Sequence, residues 1–102
     1  MNAQMKRGNL DLCVLALLAK GDMYGYELAD RLSGLIDVAG GTIYPLMKRI
    51  RDEGLVTTYL RESPEGPPRK YYAITGAGLI KKNLMEREWR EFTAAMDKIL
   101  GV

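Results

Sequence analysis

The chain has 102 residues, 47% of them hydrophobic, which fits one compact domain with or without an additional element. Fifteen Lys and Arg against 13 Asp and Glu give a net charge of +2, too small an excess to indicate nucleic-acid binding unless the placement of the charges supports it. The sequence has no histidine, the commonest general base and metal ligand, and its single cysteine excludes an intrachain disulfide.

The first predicted helix runs from about Asn9 to Lys20, with Asn9 as its N-cap and Gly21 as its stop signal. It carries two apolar stripes: Leu10, Val14 and Leu17 form one, and Leu12, Leu15 and Ala19 form the other. A surface helix buries only one stripe, so we expect the second to pack on another part of the chain or on another subunit.

Cys13 lies inside this apolar run, where a buried, inert thiol is the simplest interpretation. A redox-sensing thiol, which needs exposure and a low pKa, is the alternative. The run is shorter than the ~20 residues of a transmembrane helix, Asp11 interrupts it, and no small-residue cleavage site follows it. We therefore expect no membrane span, no signal peptide and a cytoplasmic location.

The second predicted helix covers about Tyr24 to Ser33 and ends at Gly34. Leu28 and Leu32 stand four residues apart and form its buried face. A short connection, about residues 35 to 40, leads to the third predicted helix.

The third predicted helix begins at Gly40-Gly41-Thr42 and runs to about Glu53, where Gly54 ends it. Thr42 is the expected N-cap, and Pro45 then falls in the first turn, where a missing N–H costs nothing. The residues with the spacing of a buried stripe are Ile43, Leu46, Met47 and Ile50. Those left for solvent include Thr42, Tyr44, Pro45, Lys48, Arg49 and Asp52.

After the third helix, the sequence pattern changes from that of a helix to that of β-strands. Residues 55–60 and 71–75 are rich in β-branched and aromatic side chains, and residues 63–68 between them are typical of turns and loops. The sequence therefore predicts a β-hairpin, which must pack on the helices because a lone hairpin is marginally stable.

A last helix is predicted from about Gly76 to Leu100, longer than a small domain needs to cover its core. Its apolar residues follow the spacing of a coiled-coil seam: Met85, Trp89, Phe92, Met96 and Ile99. We expect this seam and the spare face of the first helix to form a homodimer. Packing of the seam on the core of its own chain is the alternative.

This order of elements predicts a mainly α fold with a small β-hairpin, namely a winged helix-turn-helix followed by a long C-terminal dimerisation helix. The predicted domain limits are 1–75 for the DNA-binding part and 76–102 for the dimerisation helix. In such a fold the third helix enters the major groove and the hairpin tip approaches the DNA backbone or the minor groove.

The basic residues fall where this fold meets DNA: Lys48, Arg49 and Arg51 on the third helix, Arg69 and Lys70 on the wing, and Lys6, Arg7 and Arg31 near flanking phosphates. Thr42 and Tyr44 suit a phosphate at the helix start, whereas Lys48 and Arg49 are better placed for base edges. Because acidic residues neighbour each basic cluster, a merely solvated surface is the alternative.

Three stretches carry a resemblance to a known family: residues 24–28 (Tyr-Gly-Tyr-Glu-Leu); residues 41–46 (Gly-Thr-Ile-Tyr-Pro-Leu) with Arg49 and residues 53–56; and residues 69–75 (Arg-Lys-Tyr-Tyr-Ala-Ile-Thr) with Gly78. Together they resemble the PadR-type regulators, named for repressors of phenolic acid decarboxylase, over about residues 9 to 100. The resemblance implies a homodimer with one C-terminal helix, usually a repressor. Because the sequence has no histidine and no metal-ligand spacing, we expect no cofactor and no metal. The expected DNA-contacting residues are Tyr24, Thr42, Tyr44, Pro45, Lys48, Arg49, Arg69 and Lys70.

In multidrug-binding members of that family, a tryptophan of the last helix faces its symmetry mate across an apolar pore, where planar aromatic compounds stack. Trp89 matches this tryptophan, and further matches to pore-lining positions are Leu12, Leu15, Ala16, Glu86, Phe92 and Thr93. The resemblance thus implies a small aromatic effector, and packing of Trp89 in a dimer core without a ligand is the alternative. Ala16 and Ala19 replace polar pore positions of the family, which implies a drier or filled pocket.

Two other classes of function compete with a DNA-binding regulator. A winged helix that binds protein is consistent with the small net charge, and a steep fall of DNA affinity with salt would argue against it. An enzyme is disfavoured, because the sequence offers no nucleophile beside a base, no metal-ligand spacing and no phosphate-binding glycine loop.

Overall fold

A computed structural model describes residues 8–102, so Lys6 and Arg7 lie outside the described residues. Four helices and three strands follow one another along this part of the chain: α1 (Asn9–Ala19), β1 (Met23–Tyr24), α2 (Gly25–Leu35), α3 (Gly40–Asp52), β2 (Val56–Ser63), β3 (Gly66–Ile74) and α4 (Gly76–Leu100). This order confirms the predicted winged helix-turn-helix with a long C-terminal helix.

The core lies between α1, α2, α3 and one face of the sheet. The predicted stripe of α3 is buried throughout, and Leu28 and Leu32 of α2 are 0% and 1% exposed. Helix α1 is covered on more than one side by its own chain, because Val14 and Leu15 are both completely buried. The second apolar face of α1 is therefore narrower than expected, with Leu12 half-buried and Ala19 exposed.

The sheet has three strands in the order β1-β3-β2, all antiparallel. The sequence missed β1, in which Met23 pairs with Tyr72 and Tyr24 with Tyr71, because two residues are too few to show an alternating pattern. The hairpin also extends further than predicted, with Ser63 opposite Gly66. The two prolines at 67 and 68 are tolerated in β3 because β1 does not reach this part of the strand and leaves one of its edges open.

Two predicted N-caps, Asn9 and Thr42, and the predicted end of the second helix at Ser33 were wrong. Ala39 holds the N-cap position of α3, and the Thr42 N–H donates to its carbonyl oxygen at 2.9 Å. Because α3 begins before Thr42, Pro45 lies inside the helix, where its ring leaves the Gly41 carbonyl without an i→i+4 donor. Helix α1 is preceded by Gly8 as its N-cap, and α2 continues through Gly34 to Leu35.

Helix α4 has the predicted bounds and joins the rest of the fold at its first turn. The Thr75 hydroxyl accepts from the Gly78 N–H at 3.0 Å and donates to the Gly54 carbonyl oxygen at 2.7 Å. Gly78 is the buried residue of α4, and the helix beyond it lies on the surface, with Met85 packed against the core. Within residues 8–102, no helix is both long enough and apolar enough to cross a lipid bilayer.

Candidate nucleic-acid interface

The outward face of α3 lies opposite its buried stripe and carries Tyr44, Pro45 and Lys48. Lys48 Nζ lies 2.9 Å from Asp52 Oδ2, and the two side chains are 77% and 62% exposed. Such an exposed i,i+4 pair contributes little stability, so Lys48 can exchange Asp52 for a phosphate or a base edge at small cost.

Arg49 is arranged differently from Lys48, although the sequence assigned both to base edges. Its Nη2 donates to Asp11 Oδ1 at 2.7 Å, and its Nη1 donates to Glu53 Oε1 at 3.1 Å. The hydrogen bond that Arg49 donates to Asp11 raises the pKa of the guanidinium. The guanidinium is therefore directed at α1 and at the end of α3, and the geometry favours an intramolecular role over base contact.

Thr42 and Tyr44 are both exposed near the start of α3. Tyr44 also lies against the start of α2, since its Cε1 is 3.5 Å from where a Cβ on Gly25 would stand. Arg51, which the sequence placed on the DNA-facing side of the third helix but not among the expected contacts, is also exposed. Burial raises the pKa of the Tyr72 hydroxyl, and the positive charge of Arg51 opposes this shift.

Arg69 and Lys70, the two basic residues predicted to lie on the wing, point to opposite faces of the sheet, because side chains alternate along a strand. Lys70 shares the face of buried Tyr72, on the side of the helices, and lies opposite Leu60 of β2. Arg69 shares the outer face with Tyr71. Arg69 and Lys70 are adjacent in sequence, but they therefore cannot bind one phosphate together on a single face of the sheet.

The outer face of the sheet carries a row of tyrosine rings, and two of these rings each have an arginine side chain over them. The ring centroids of Tyr24 and Tyr71 are 5.8 Å apart, and those of Tyr71 and Tyr59 are 5.6 Å apart. Arg69 Cζ lies 4.5 Å from the Tyr24 ring centroid, and Arg61 Cζ lies 5.2 Å from that of Tyr71. Cation–π contacts of this kind hold a guanidinium in place while leaving it open to a phosphate.

Sequence reasoning missed Arg61, although a signal for it was present. Thr57, Tyr59 and Arg61 alternate along β2, and each faces a partner of the Arg69-Tyr71-Ala73 set across β3. The prediction ended this strand at Leu60, which placed Arg61 in the loop and hid its cross-strand pairing with Arg69.

Three of the seven residues matched to an effector pocket, namely Leu12, Trp89 and Phe92, lie in a groove between α1 and α4. An open groove of about 360 Å³ is lined by Leu12, Met85, Trp89 and Phe92, among others. Trp89 and Phe92 are 39% and 59% exposed, with ring centroids 6.4 Å apart. A groove open along its length encloses a ligand only when a second surface covers it.

The other expected pocket residues divide into three groups. Ala16 and Glu86 line an adjoining depression, where hydrogen bonds from Lys82 and Arg90 lower the pKa of the Glu86 carboxyl. The Thr93 hydroxyl lies 3.1 Å from the Trp89 carbonyl oxygen, to which it donates, so it is engaged within α4. Leu15 is 0% exposed in the core of its own chain, so we assign it to the core and no longer to the pocket.

Cys13 is partly buried and packs against the core. Burial raises the pKa of its thiol, which lowers the thiolate fraction at neutral pH. The structure therefore favours the inert thiol over the redox sensor.

Comparison with known proteins assigns this architecture to a family. The family model described as "Transcriptional regulator PadR-like family" matches residues 14–86. A crystal structure of a PadR-like transcriptional regulator from Bacillus cereus is similar at 35% identity with a TM-score of 0.88, covering 96% of this chain and 97% of that one. A PadR family transcription regulator from Clostridium difficile is similar at 30% identity with a TM-score of 0.83, covering 91% and 99%. An uncharacterized protein of Lysinibacillus sphaericus is 30% identical over 95 residues, 89% of this chain and 87% of that protein.

Proposed function

The chain belongs to the PadR-like family of transcriptional regulators, and on that premise we propose that it is a cytoplasmic homodimer that binds a pseudo-palindromic operator. Helix α3 of each protomer enters a major groove with Tyr44, Pro45 and Lys48, and the two grooves lie ~34–36 Å apart. The observation that carries the proposal is the exposed face of α3 beside a wing with two arginines held on tyrosine rings.

The proposed partner in the dimer is a second copy of this chain, bound through α4 and the neighbouring surface of α1. In α4, Trp89, Phe92 and Ile99 stand on one seam with heptad spacing and are 39%, 59% and 77% exposed. An exposed apolar seam of this length on a surface helix is typical of a coiled-coil interface, and the seam matches itself in a symmetric pair.

The proposed regulatory role is repression that a small aromatic compound relieves. A second protomer would cover the open groove beside Trp89 and so create an enclosed apolar site at the dimer interface. A compound bound there lowers DNA affinity only if it binds better to a dimer whose two α3 helices are wrongly spaced. Because Trp89 is the only tryptophan, saturable quenching of its fluorescence by a planar aromatic dye checks this site directly, and unchanged fluorescence would contradict it.

The experiment that tests the function is selection of bound sequences from random duplex DNA by the full chain at two salt concentrations. We expect an inverted repeat with half-site centres about 10 base pairs, or a multiple of that, apart. Recovery of no preferred sequence would contradict the proposal and favour a winged helix that binds another protein.

Replacing Lys48 with alanine should weaken binding to the selected duplex and flatten its salt dependence. If Lys48 contacts one phosphate in each half-site, the negative slope of log K against log salt becomes shallower by about 0.9 per protomer, or about 1.8 for the dimer. Fluorescence anisotropy titrations across a range of salt concentrations measure both effects. Lys98→Ala is the matched control, because it removes the same charge from the last turn of α4. An equal effect of the two variants would show that net charge, and not the position of Lys48, determines affinity.

A further inference from the structure

Asp11 is the charged residue that the fold buries, among the residues that the structure describes. It lies in the first turn of α1 and is 9% exposed. A carboxylate in such a position is costly unless a cation and hydrogen bonds compensate for the lost water. Arg49 compensates for it, through the 2.7 Å contact between Nη2 and Asp11 Oδ1.

This ion pair joins two elements with different tasks. Arg49 follows Lys48 directly on the helix proposed to enter the major groove, and Asp11 precedes Leu12, which lines the groove against Trp89. The residues of the pair are 38 positions apart in the sequence, so the contact fixes tertiary geometry and not local helix structure.

The guanidinium of Arg49 also bonds to Glu53 at the C-cap of its own helix. The contact with Glu53 holds the guanidinium in place on α3, and the contact with Asp11 then limits rotation of α3 relative to α1. A planar guanidinium that donates to two separate carboxylates has stricter geometric requirements than the flexible ammonium of a lysine.

We propose that Asp11 and Arg49 are positioning residues for operator binding: their ion pair sets the orientation of α3 relative to α1, and Arg49 does not itself contact DNA. This inference rests on the proposed function and refines it. It removes Arg49 from the expected base contacts, and it makes Asp11 on α1 a residue that affects DNA binding without touching DNA.

For the removal of the Asp11 carboxylate, the proposal predicts a change in DNA affinity opposite in sign to the one that simple electrostatics predicts. Removing a carboxylate near a DNA-binding helix ordinarily raises affinity, because it makes the local potential more positive. If Asp11 positions α3, Asp11→Ala instead lowers affinity for the selected duplex, by about tenfold. Asp52→Ala is the matched control, because it removes an exposed carboxylate from the outward face of α3 and frees Lys48; this variant should bind DNA more tightly.

The test is a double-mutant cycle with Asp11→Ala, Arg49→Ala and the double variant. Each is titrated with the duplex selected from random DNA and with a duplex of the same composition in shuffled order. We expect each single variant to lose affinity for the selected duplex, and the double variant to lose no more than the worse single variant. The salt slope should be the same in Arg49→Ala as in the unchanged protein, because no phosphate contact is lost.

Thermal unfolding of each variant checks that the fold persists at the titration temperature. If Asp11→Ala does not fold, Asp11→Asn replaces it in the cycle, since it keeps the shape and one acceptor while removing the charge. Additive losses in the cycle, or a flatter salt slope in Arg49→Ala, would overturn the inference and return Arg49 to the DNA contacts. Failure of the unchanged protein to bind any duplex would overturn the proposed function as well, and the two failures are therefore distinguishable.

Discussion

Phe92→Glu is expected to convert the proposed dimer into monomers and to lower affinity for the full inverted repeat selected from random DNA by about a hundredfold. Phe92 lies in the middle of the exposed seam and is 59% exposed, so the substitution leaves the protomer core intact. In the dimer it places two carboxylates in an apolar interface, where each loses hydration without gaining a partner. A monomer then binds each half-site alone, without the high effective concentration that the first bound half provides for the second.

Sedimentation equilibrium and operator titration measure these two effects on the same samples. Ile80→Glu is the matched control, because Ile80 is an equally apolar and 73% exposed residue of α4 that lies off the seam. It should remain dimeric and bind normally. A dimeric Phe92→Glu variant would contradict the proposed interface, and two monomeric variants would place the interface on another face of α4.

Gly78→Ala should lower the free energy of unfolding by about 3 kcal/mol. A Cβ at this position would overlap the Leu55 carbonyl oxygen and lie 2.8 Å from Ile74 Cγ1. The backbone oxygen cannot move freely, because it accepts from the Thr75 N–H at 3.1 Å in the same junction. The first turn of α4 must therefore separate from the strands, and this turn joins α4 to the rest of the fold.

Gly76→Ala in the same turn is the control, because nothing lies within 4 Å of its added Cβ. It should leave stability unchanged or raise it slightly, since alanine restricts the unfolded chain more than glycine does. Urea denaturation compares the unchanged protein with the two variants. All three are measured at one fixed protein concentration, well above that needed for the proposed dimerisation. Similar stabilities for the two variants would mean that α4 does not approach Leu55 as closely as described.

The parts of the fold that the sequence predicted are those encoded by local periodicity. The predictions of the buried stripe of α3 and of the two ends of α4 were correct, because each depends on spacing within one helix or on glycines beside it. Strand β1 was missed because two residues hold no period, and its pairing with β3 depends on contacts nearly fifty positions away.

The candidate site was harder to predict, because its geometry depends on which residues meet across elements. The sequence grouped Lys48 with Arg49 by adjacency, and nothing local indicates that Arg49 turns toward a buried carboxylate on α1. It likewise grouped Arg69 with Lys70, although strand alternation separates them once the length of β3 is known. Leu15 was matched to a pocket on the surface of α1, and only the packing of three helices around α1 shows that it belongs to the core.

Titration of the full chain with the selected inverted repeat and with one isolated half-site, each at about 50 mM and 200 mM salt, tests the central claim most directly. A dimer that places two α3 helices in successive major grooves should bind the full repeat far more tightly than the half-site. Its affinity for the repeat should fall by roughly 10³-fold or more between the two salt concentrations, as six or more phosphate contacts require. Equal affinity for the repeat and the half-site, or affinity insensitive to salt, would contradict a dimeric operator-binding regulator.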